Sequence, residues 1–388
     1  KKSLYAAAIY FHKQAQTYKG AENFVQAKES YARAAEIYGE YLSRFPHDKE
    51  LYNLTFYYAE CLYYSEEYER AAIAYIKVRD AIGENEFFES AAFSVVLAYQ
   101  DLAKKYEEDG SLPLVKFLSG AERDAEKPLN TRDIPKLRAD LIAASDIYSG
   151  KFGKDEKTPK ILYKAAEVYM AYDQFEEGRR RFVNLIEAYP QDDVAEYAVN
   201  LVVESYLIEK NFTEVEKFSR AMLEKPEFAE RKDFLAELIK FKSGAMFKLA
   251  EGLGAEEKHD EAAAMYLKML EENPQTQFAA MALNNAAVAY EKRKRYDSAS
   301  KLYERLAREY PESPFTDNAL FRVALNAERF FDFDKAVGAY KTLVNRHKES
   351  PRRADALYNL ALAMENLQQY RSSAREYLRY CDLFTDRD

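Results

Sequence analysis

Residues 278–314 read FAAMALNNAAVAYEKRKRYDSASKLYERLAREYPESP, and this stretch decides the fold. Leu283, Ala286, Ala287 and Tyr290 fall at i, i+3, i+4 and i+7, which is one face of an α-helix. Lys294-Arg295-Tyr296-Asp297 reads as a short turn. Ala299, Tyr303 and Leu306 then define a second amphipathic helix, which Pro311 stops because proline cannot continue the backbone hydrogen bonding. Small residues at Ala287 and Ala299 let the two helices approach closely, and Tyr303 fills the space between layers. The unit recurs. Tyr296, Phe333 and Tyr370 stand 37 residues apart. Each is followed three positions on by a small residue (Ala299, Ala336, Ser373) and seven positions on by a tyrosine (Tyr303, Tyr340, Tyr377). A helical pair of this size cannot bury its apolar face alone, so a fixed period predicts stacked repeats.

The N-terminal half carries further copies. Leu162, Ala165, Ala166, Tyr169, Phe175, Gly178, Phe182 and Pro190 repeat the spacing closely. Phe24/Ala27/Tyr31, Tyr68/Ala71/Tyr75 and His259/Ala262/Tyr266 keep the hinge, the small residue and the aromatic, while Phe212/Val215/Ser219 keeps mainly the first. The pattern, L-x2-[LA]-A-x2-Y, then A-x3-aromatic, then P, resembles the tetratricopeptide repeat. That resemblance implies an all-α, right-handed α-solenoid of helical hairpins. The family's leading Trp is absent and the period is longer than usual, with the extra residues following the terminating proline. The Tyr310-Pro311-Glu312-Ser313-Pro314 turn resembles those of bacterial envelope repeat proteins of the outer-membrane assembly and Tol-associated types, and Phe45-Pro46-His47-Asp48 with Tyr57-Tyr58-Ala59-Glu60 resembles repeat lipoproteins of the gliding-motility type. This implies a periplasmic or inner outer-membrane location. The residues themselves leave the compartment open, the cytoplasm included.

Hinge spacing locates the irregularities. From Phe24 to Tyr68 is 44 residues, two extra helical turns placed in a helix running to Phe45. From Phe212 to His259 is 47, with the excess placed in 227–248. Between Tyr68 and Phe175 no clean hinge appears. Residues 86–108 read as one long helix, Asp109–Pro113 breaks it, and a helix resumes near Ile134-Pro135 and runs to Tyr148. The expected organisation is one continuous solenoid: N-terminal repeats over 1–109, an insertion over 110–133 inside a degenerate repeat, and C-terminal repeats over 134–388. The insertion reads either as a functional loop on one face or as a spacer.

Composition narrows the function. The 388 residues carry a net charge of −9, against the basic stripe that nucleic acids require. With 32 Tyr, no Trp, 12 Gly and 11 Pro, the chain has the few turns and amphipathic rings of a helical array. No run approaches the roughly 18 apolar residues of a membrane span. The start, Lys1-Lys2-Ser3-Leu4-Tyr5, reads as helix interior and predicts a piece of a longer polypeptide. Cys61 and Cys381 sit in apolar helical patterns and are expected to be buried, free thiols, set too far apart along the array to bond.

Catalytic and cofactor signatures are lacking. His12, His47, His259 and His347 read as hinge and helix-end residues without metal-ligand spacing. Gly252-x-Gly254 lacks a strand and a third glycine, and the acid pairs at 66–67, 107–108 and 256–257 read as solvated turns. Lys292–Arg295 reads as a helix C-terminal cluster favoured by the dipole. No metal, cofactor or catalytic residue is therefore expected.

In tetratricopeptide arrays the first helix of each pair lines the concave groove. The resemblance thus puts Asn53, Phe56, Glu60, Tyr63, Tyr163, Glu167, Met170, Asn200, Glu204, Leu207, Asn284, Val288 and Glu291 on that face. Phe321, Leu325, Glu328, Tyr358, Leu362 and Glu365 continue it. Aromatics supply contact area and Asn can hold a peptide backbone through paired hydrogen bonds; alternatively these are ordinary flanking residues. Members that clamp a C-terminal carboxylate use Lys and Asn here, so Phe, Tyr, Asn and Glu speak against that ligand. The expected function is a non-enzymatic protein-binding scaffold in an envelope machine. A self-assembling structural module is the alternative, and an enzyme the remote one.

Overall fold

The computed structural model describes residues 1–83, 86–123 and 129–384. Among them every regular element is helical, with eighteen α-helices and one 3-10 turn. The chain forms two compact units, one of residues 1–208 and one from residue 209 onward. The first holds α1 (Lys2–Gly20), α2 (Phe24–Arg44), α3 (Leu51–Tyr64), α4 (Tyr68–Arg79), α5 (Phe88–Glu108), α6 (Lys136–Lys151), α7 (Thr158–Ala171), α8 (Phe175–Ala188) and α9 (Val194–Ile208). The second holds α10 (Phe212–Leu223), the 3-10 turn Pro226–Phe228, α11 (Lys232–Ala255), α12 (His259–Glu272), α13 (Ala279–Lys292), α14 (Tyr296–Glu309), α15 (Thr316–Arg329), α16 (Phe333–Arg346), α17 (Arg353–Asn366) and α18 (Tyr370–Phe384). Within each unit consecutive helices pack on one another, as in an α-solenoid.

One backbone device closes the pairs. The non-glycine residues with left-handed φ are Glu22, Glu66, Asp173, Lys210, Glu257, Lys294, Phe331 and Gln368. Every one stands two residues before a hinge aromatic or histidine. At α13–α14 the left-handed Lys294 donates its N–H to Glu291 O and Arg295 donates to Tyr290 O, both at 2.8 Å. This is the Schellman cap, which satisfies carbonyls that the helix end leaves open. The same pair of bonds recurs at Glu66/Glu67, Asp173/Gln174, Glu257/Lys258, Phe331/Asp332 and Gln368/Gln369. The residue after the left-handed one then accepts the first bond of the next helix: Ala299 N–H reaches Arg295 O at 3.0 Å. That geometry presses the residue three after the hinge against the first helix. A Cβ on Gly178 would lie 3.0 Å from Met170 Sδ, and Ala71, Ala299 and Ala336 are fully buried.

The tyrosine seven past the hinge is the spacer between layers. Tyr75, Tyr303 and Tyr340 are completely buried. Their hydroxyls find carboxylates on the first helix: Tyr303 donates to Glu291 at 3.4 Å and Tyr75 donates to Glu60. A buried hydroxyl without a partner would be costly, so each tyrosine fixes an acid. Where the second helix stops, tyrosines also tie repeat to repeat. Tyr189 donates to Gly153 O at 2.6 Å and Tyr310 to Pro274 O at 3.1 Å, each reaching the turn one repeat earlier.

The long second helix ends with Phe45 as its cap, and the excess after Phe212 becomes the 3-10 turn and the 24-residue α11. Residues 124–128 of the insertion lie outside the described residues. Gly110 takes φ +81° after α5, and Leu112 follows it, 6% exposed, where a hinge aromatic would stand. The degenerate repeat therefore keeps its turn, but its second helix starts only at Lys136. Both cysteines are free, Cys61 buried and Cys381 exposed. Cys381 was expected inside. It lies on α18, whose one buried residue among those described is Ser373.

Two substitutions test the turn. Phe331 is bulky, left-handed and 81% exposed. Phe331→Asn, which tolerates that conformation, is expected to raise stability by about 1 kcal/mol. Lys294→Pro, locked near φ −65°, should lower it by about 3 kcal/mol or more. Ala299→Leu should cost about 1–3 kcal/mol by overpacking. Urea melts of the three variants check all values, and an unchanged Ala299→Leu midpoint would contradict the close helix contact.

Candidate functional site

The face lined by the first helix of each pair is the candidate site. Counting back from the hinge puts its residues in rows. Twelve before the hinge stand His12, Phe56, Tyr163, Asn200, Phe247, Asn284, Phe321 and Tyr358. Eight before stand Gln16, Glu60, Glu167, Glu204, Glu251, Val288, Leu325 and Leu362. Five before, the last three repeats carry Glu291, Glu328 and Glu365.

In the first unit most of these side chains are engaged internally. Phe56 stacks on Phe87 at 4.2 Å with the rings 3° from parallel. Glu60 accepts from the Tyr75 hydroxyl, and burial raises its carboxyl above the ordinary range. Tyr63 donates to Asp101 at 2.5 Å. Burial pushes its phenol up, with the Asp101 bond adding to the effect. Asn53 and Asn200 are half-buried. Tyr163 sits 5.2 Å from Phe182, and burial lifts its phenol to about 12. Glu167 pairs with Lys164 at 2.7 Å. Met170 is fully buried against Gly178, away from the lined face. Glu204 accepts a hydrogen bond at 2.6 Å from the backbone N–H of Gly120, in the insertion.

In the second unit the rows alternate between structural and open positions. Asn284 donates to Asn285, which donates to Tyr266 at 3.2 Å. Glu291 collects Asn326 at 3.0 Å, Tyr303 at 3.4 Å and Arg322 at 3.5 Å. Burial raises the Glu328 carboxyl, opposed by a bond from Tyr340. Phe321 was expected outside the interhelical core. It is 7% exposed, edge-on to Tyr340 at 5.7 Å, with Arg352 over its ring at 5.0 Å. Val288 and Leu325 are half-buried. Tyr358 and Leu362 are open, 47% and 42% exposed. Tyr377 donates to Glu365 at 3.3 Å.

His12 was read as a hinge or helix-end residue. It lies in the middle of α1, nearly buried among Tyr31, Tyr38 and Tyr57, with Nδ1 3.3 Å from the Tyr38 hydroxyl. Its place twelve before Phe24 could have revealed it. Among the described residues no group of three or more His, Cys, Asp or Glu is placed to hold a metal, and no helix is long and apolar enough to cross a membrane. The face offers rows of aromatic, amide and acid groups along helices, which suit contact with another polypeptide.

Residues 247–314 and 319–387 match the tetratricopeptide repeat family. No curated protein matches the chain. Solved structures similar to it include three. PilW, a widely conserved type IV pilus biogenesis factor, is 14% identical, with 60% of this chain and 97% of that one covered and a TM-score of 0.31. The TPR domain of P58(IPK) is 12% identical, covering 93% and 98%, with a TM-score of 0.28. A tetratricopeptide repeat protein from Parabacteroides merdae is 11% identical, covering 92% and 99%, with a TM-score of 0.31.

Phe321→Ala is expected to cost about 3–5 kcal/mol in stability, read by thermal or urea melting, as for any buried aromatic. A second expectation concerns pH. Burial lowers the His12 pKa below 6.5, so the unfolded chain takes up the proton first as pH falls. Stability should drop as pH falls below about 6.5 toward the folded value and be flat above it. Glu60 acts in the opposite sense. Its raised carboxyl stabilises most below about 4.5, and that contribution fades as pH rises through the folded value. Comparing His12→Gln with the parent isolates the histidine: the variant should lack the loss that sets in as pH falls below about 6.5.

Proposed function

We propose that this chain, which carries tetratricopeptide repeats over residues 247–314 and 319–387, is a non-enzymatic scaffold that binds protein partners along its first-helix faces. The observation that carries the reading is the repetition of similar side chains at one spacing, with Glu60, Glu291, Glu328 and Glu365 held by the tyrosine seven past each hinge. Glu291 accepts from Tyr303 and Glu365 from Tyr377. Carboxylates held in this way present a fixed pattern to a long ligand and leave no convergent acid and base for catalysis. Protein partners are the class that such repeats serve.

The setting we propose is a bacterial envelope assembly. The Tyr310-Pro311-Glu312-Ser313-Pro314 turn, with its resemblance to envelope repeat proteins, supports it. The continuous array expected over 1–109 and 134–388, interrupted at 110–133, would present such a face at either side of the insertion. Anchors are best sought among Asn53, Tyr63, Tyr163, Glu167, Asn200, Asn284, Tyr358 and Leu362; Phe56 and Phe321 contribute through packing. Self-assembly is the second reading, favoured by the exposure of Tyr370 (63%) and Leu378 (67%) on α18.

Tyr358→Ala should weaken partner binding by more than about 1 kcal/mol and shift the melting temperature less than Phe321→Ala does, because the ring, though edge-on to Tyr377 and Tyr380, is 47% exposed and aromatics dominate binding hot spots. Mass spectrometry of material co-purified with parent and variant reads the loss. Full retention by a folded variant would move the site elsewhere. Light scattering over a range of concentrations separates the second reading, which predicts growth in mass.

A further inference from the structure

The insertion does not hang free of the first unit. After Gly110 the chain runs from Leu112 to Leu118 without regular structure, and residues 115–123 lie against α7, the turn into α8 and α9. Four contacts hold it there. Val115 packs against the cluster of Ile142, Ala165 and Val168. Phe117 lies edge-on to Phe175 at 6.2 Å. Gly120 N–H meets Glu204 at 2.6 Å. Arg123 closes the run on Asp173 at 2.6 Å, with the two side chains only 19% and 10% exposed, and its guanidinium lies 5.5 Å from the centre of the Phe175 ring.

These contacts are of a particular kind. Two apolar side chains, one backbone N–H and one charged pair meet the face at spaced positions along an extended chain. From Pro113 to Arg123 no side chain is fully buried, and Leu114 and Leu118 are 64% and 44% exposed. Gly120 supplies a backbone N–H in that run that bonds to Glu204 of α9. A bound peptide rests on a few anchors, and segments with few buried contacts open at low free-energy cost. A cleft of about 750 Å³ runs beside the segment, between Lys104 and Glu107 of α5 and Lys164 and Glu167 of α7.

We propose that the surface formed by α7, the turn into α8 with Asp173 and Phe175, and α9 is a peptide-binding groove occupied in cis by residues 112–123, and that its partner is an extended segment of the same chemistry. The partner's pattern follows from the anchors. An aromatic meets Phe175, a glycine or other small residue three positions later gives its N–H to Glu204, and an arginine six positions after the aromatic pairs with Asp173. The segment and the partner exclude each other, so the apparent affinity for the partner falls by the fraction of time the groove is free. This inference rests on the protein-binding reading.

The test uses the whole chain and a labelled synthetic peptide of residues 112–123. Val115→Ser with Phe117→Ser weakens the resident segment and leaves the groove intact. This variant should bind the peptide at least about tenfold more tightly than the parent, by fluorescence anisotropy. Adding Asp173→Asn, which keeps the left-handed backbone, should cost about tenfold. A peptide with Arg123→Ala should lose the same factor in the parent groove and lose nothing further against Asp173→Asn. A release variant with unchanged circular dichroism that does not bind the peptide overturns the proposal, as does binding indifferent to Asp173. If the release variant fails to fold, the parent answers by hydrogen exchange. Saturating peptide should speed exchange in its own residues 112–123, and unchanged exchange overturns the proposal. Loss of the peptide result with partners still co-purifying with the parent would sink this inference and leave the protein-binding reading standing.

Discussion

The structure depends on one turn. In each regular pair a residue is held in the left-handed region two positions before the hinge, so that the first helix ends in a Schellman cap and the second turns back at once. That conformation costs an L-residue roughly 1–2 kcal/mol. The cost is offset by what the turn permits. The small residue three past the hinge comes into contact with the first helix, as Gly178 does with Met170. The tyrosine seven past it then points into the layer. Polar or charged residues hold seven of the eight left-handed positions, and Phe331 is the exception. Glycine takes over at residue 110, in the repeat whose second helix is displaced.

The tyrosines carry the constraint from the turn to the lined face. The fully buried phenols of Tyr75 and Tyr303 place their hydroxyls on first-helix acids, Glu60 and Glu291. These acids are thus ordered by the core. The face presents a pattern that is fixed before any partner arrives, and preorganisation of this kind lowers the entropic cost of association. The terminating tyrosines, Tyr189 and Tyr310, hold successive turns together by the same chemistry. Few of these devices are surface ion pairs, which contribute little when exposed.

Much of this was legible in the sequence. The hinge aromatics, the small residue and the tyrosine fix their helices because 3.6-residue periodicity and a fixed repeat length act on the same residues. The break near residue 110 and the helix resuming near residue 135 were legible from Gly110, Pro113 and Pro135. Side-chain exposure was not. Phe321 and Tyr358 stand at the same place in neighbouring repeats, yet one is covered and the other open. Each ring meets the interlayer tyrosine of its own pair, Tyr340 or Tyr377, but Phe321 also has Arg352 of the following turn over it, a neighbour outside the local pattern. His12 was misplaced because no hydrophobic scale marks a histidine as a layer residue. Cys381 was misread because an apolar helical stripe indicates a buried face only where another helix packs on it. The path of 112–123 could not be read from periodicity, since its anchors, Asp173 and Glu204, lie far along the chain.

The central claim is that protein partners meet the first-helix faces. Site-specific photo-crosslinking in cells tests it most directly, with the reactive group placed at Leu362 on the lined face of α17 and at Lys341 on the exposed side of α16. The account predicts discrete protein adducts from position 362 and none from position 341. Adducts from position 341 alone would contradict it.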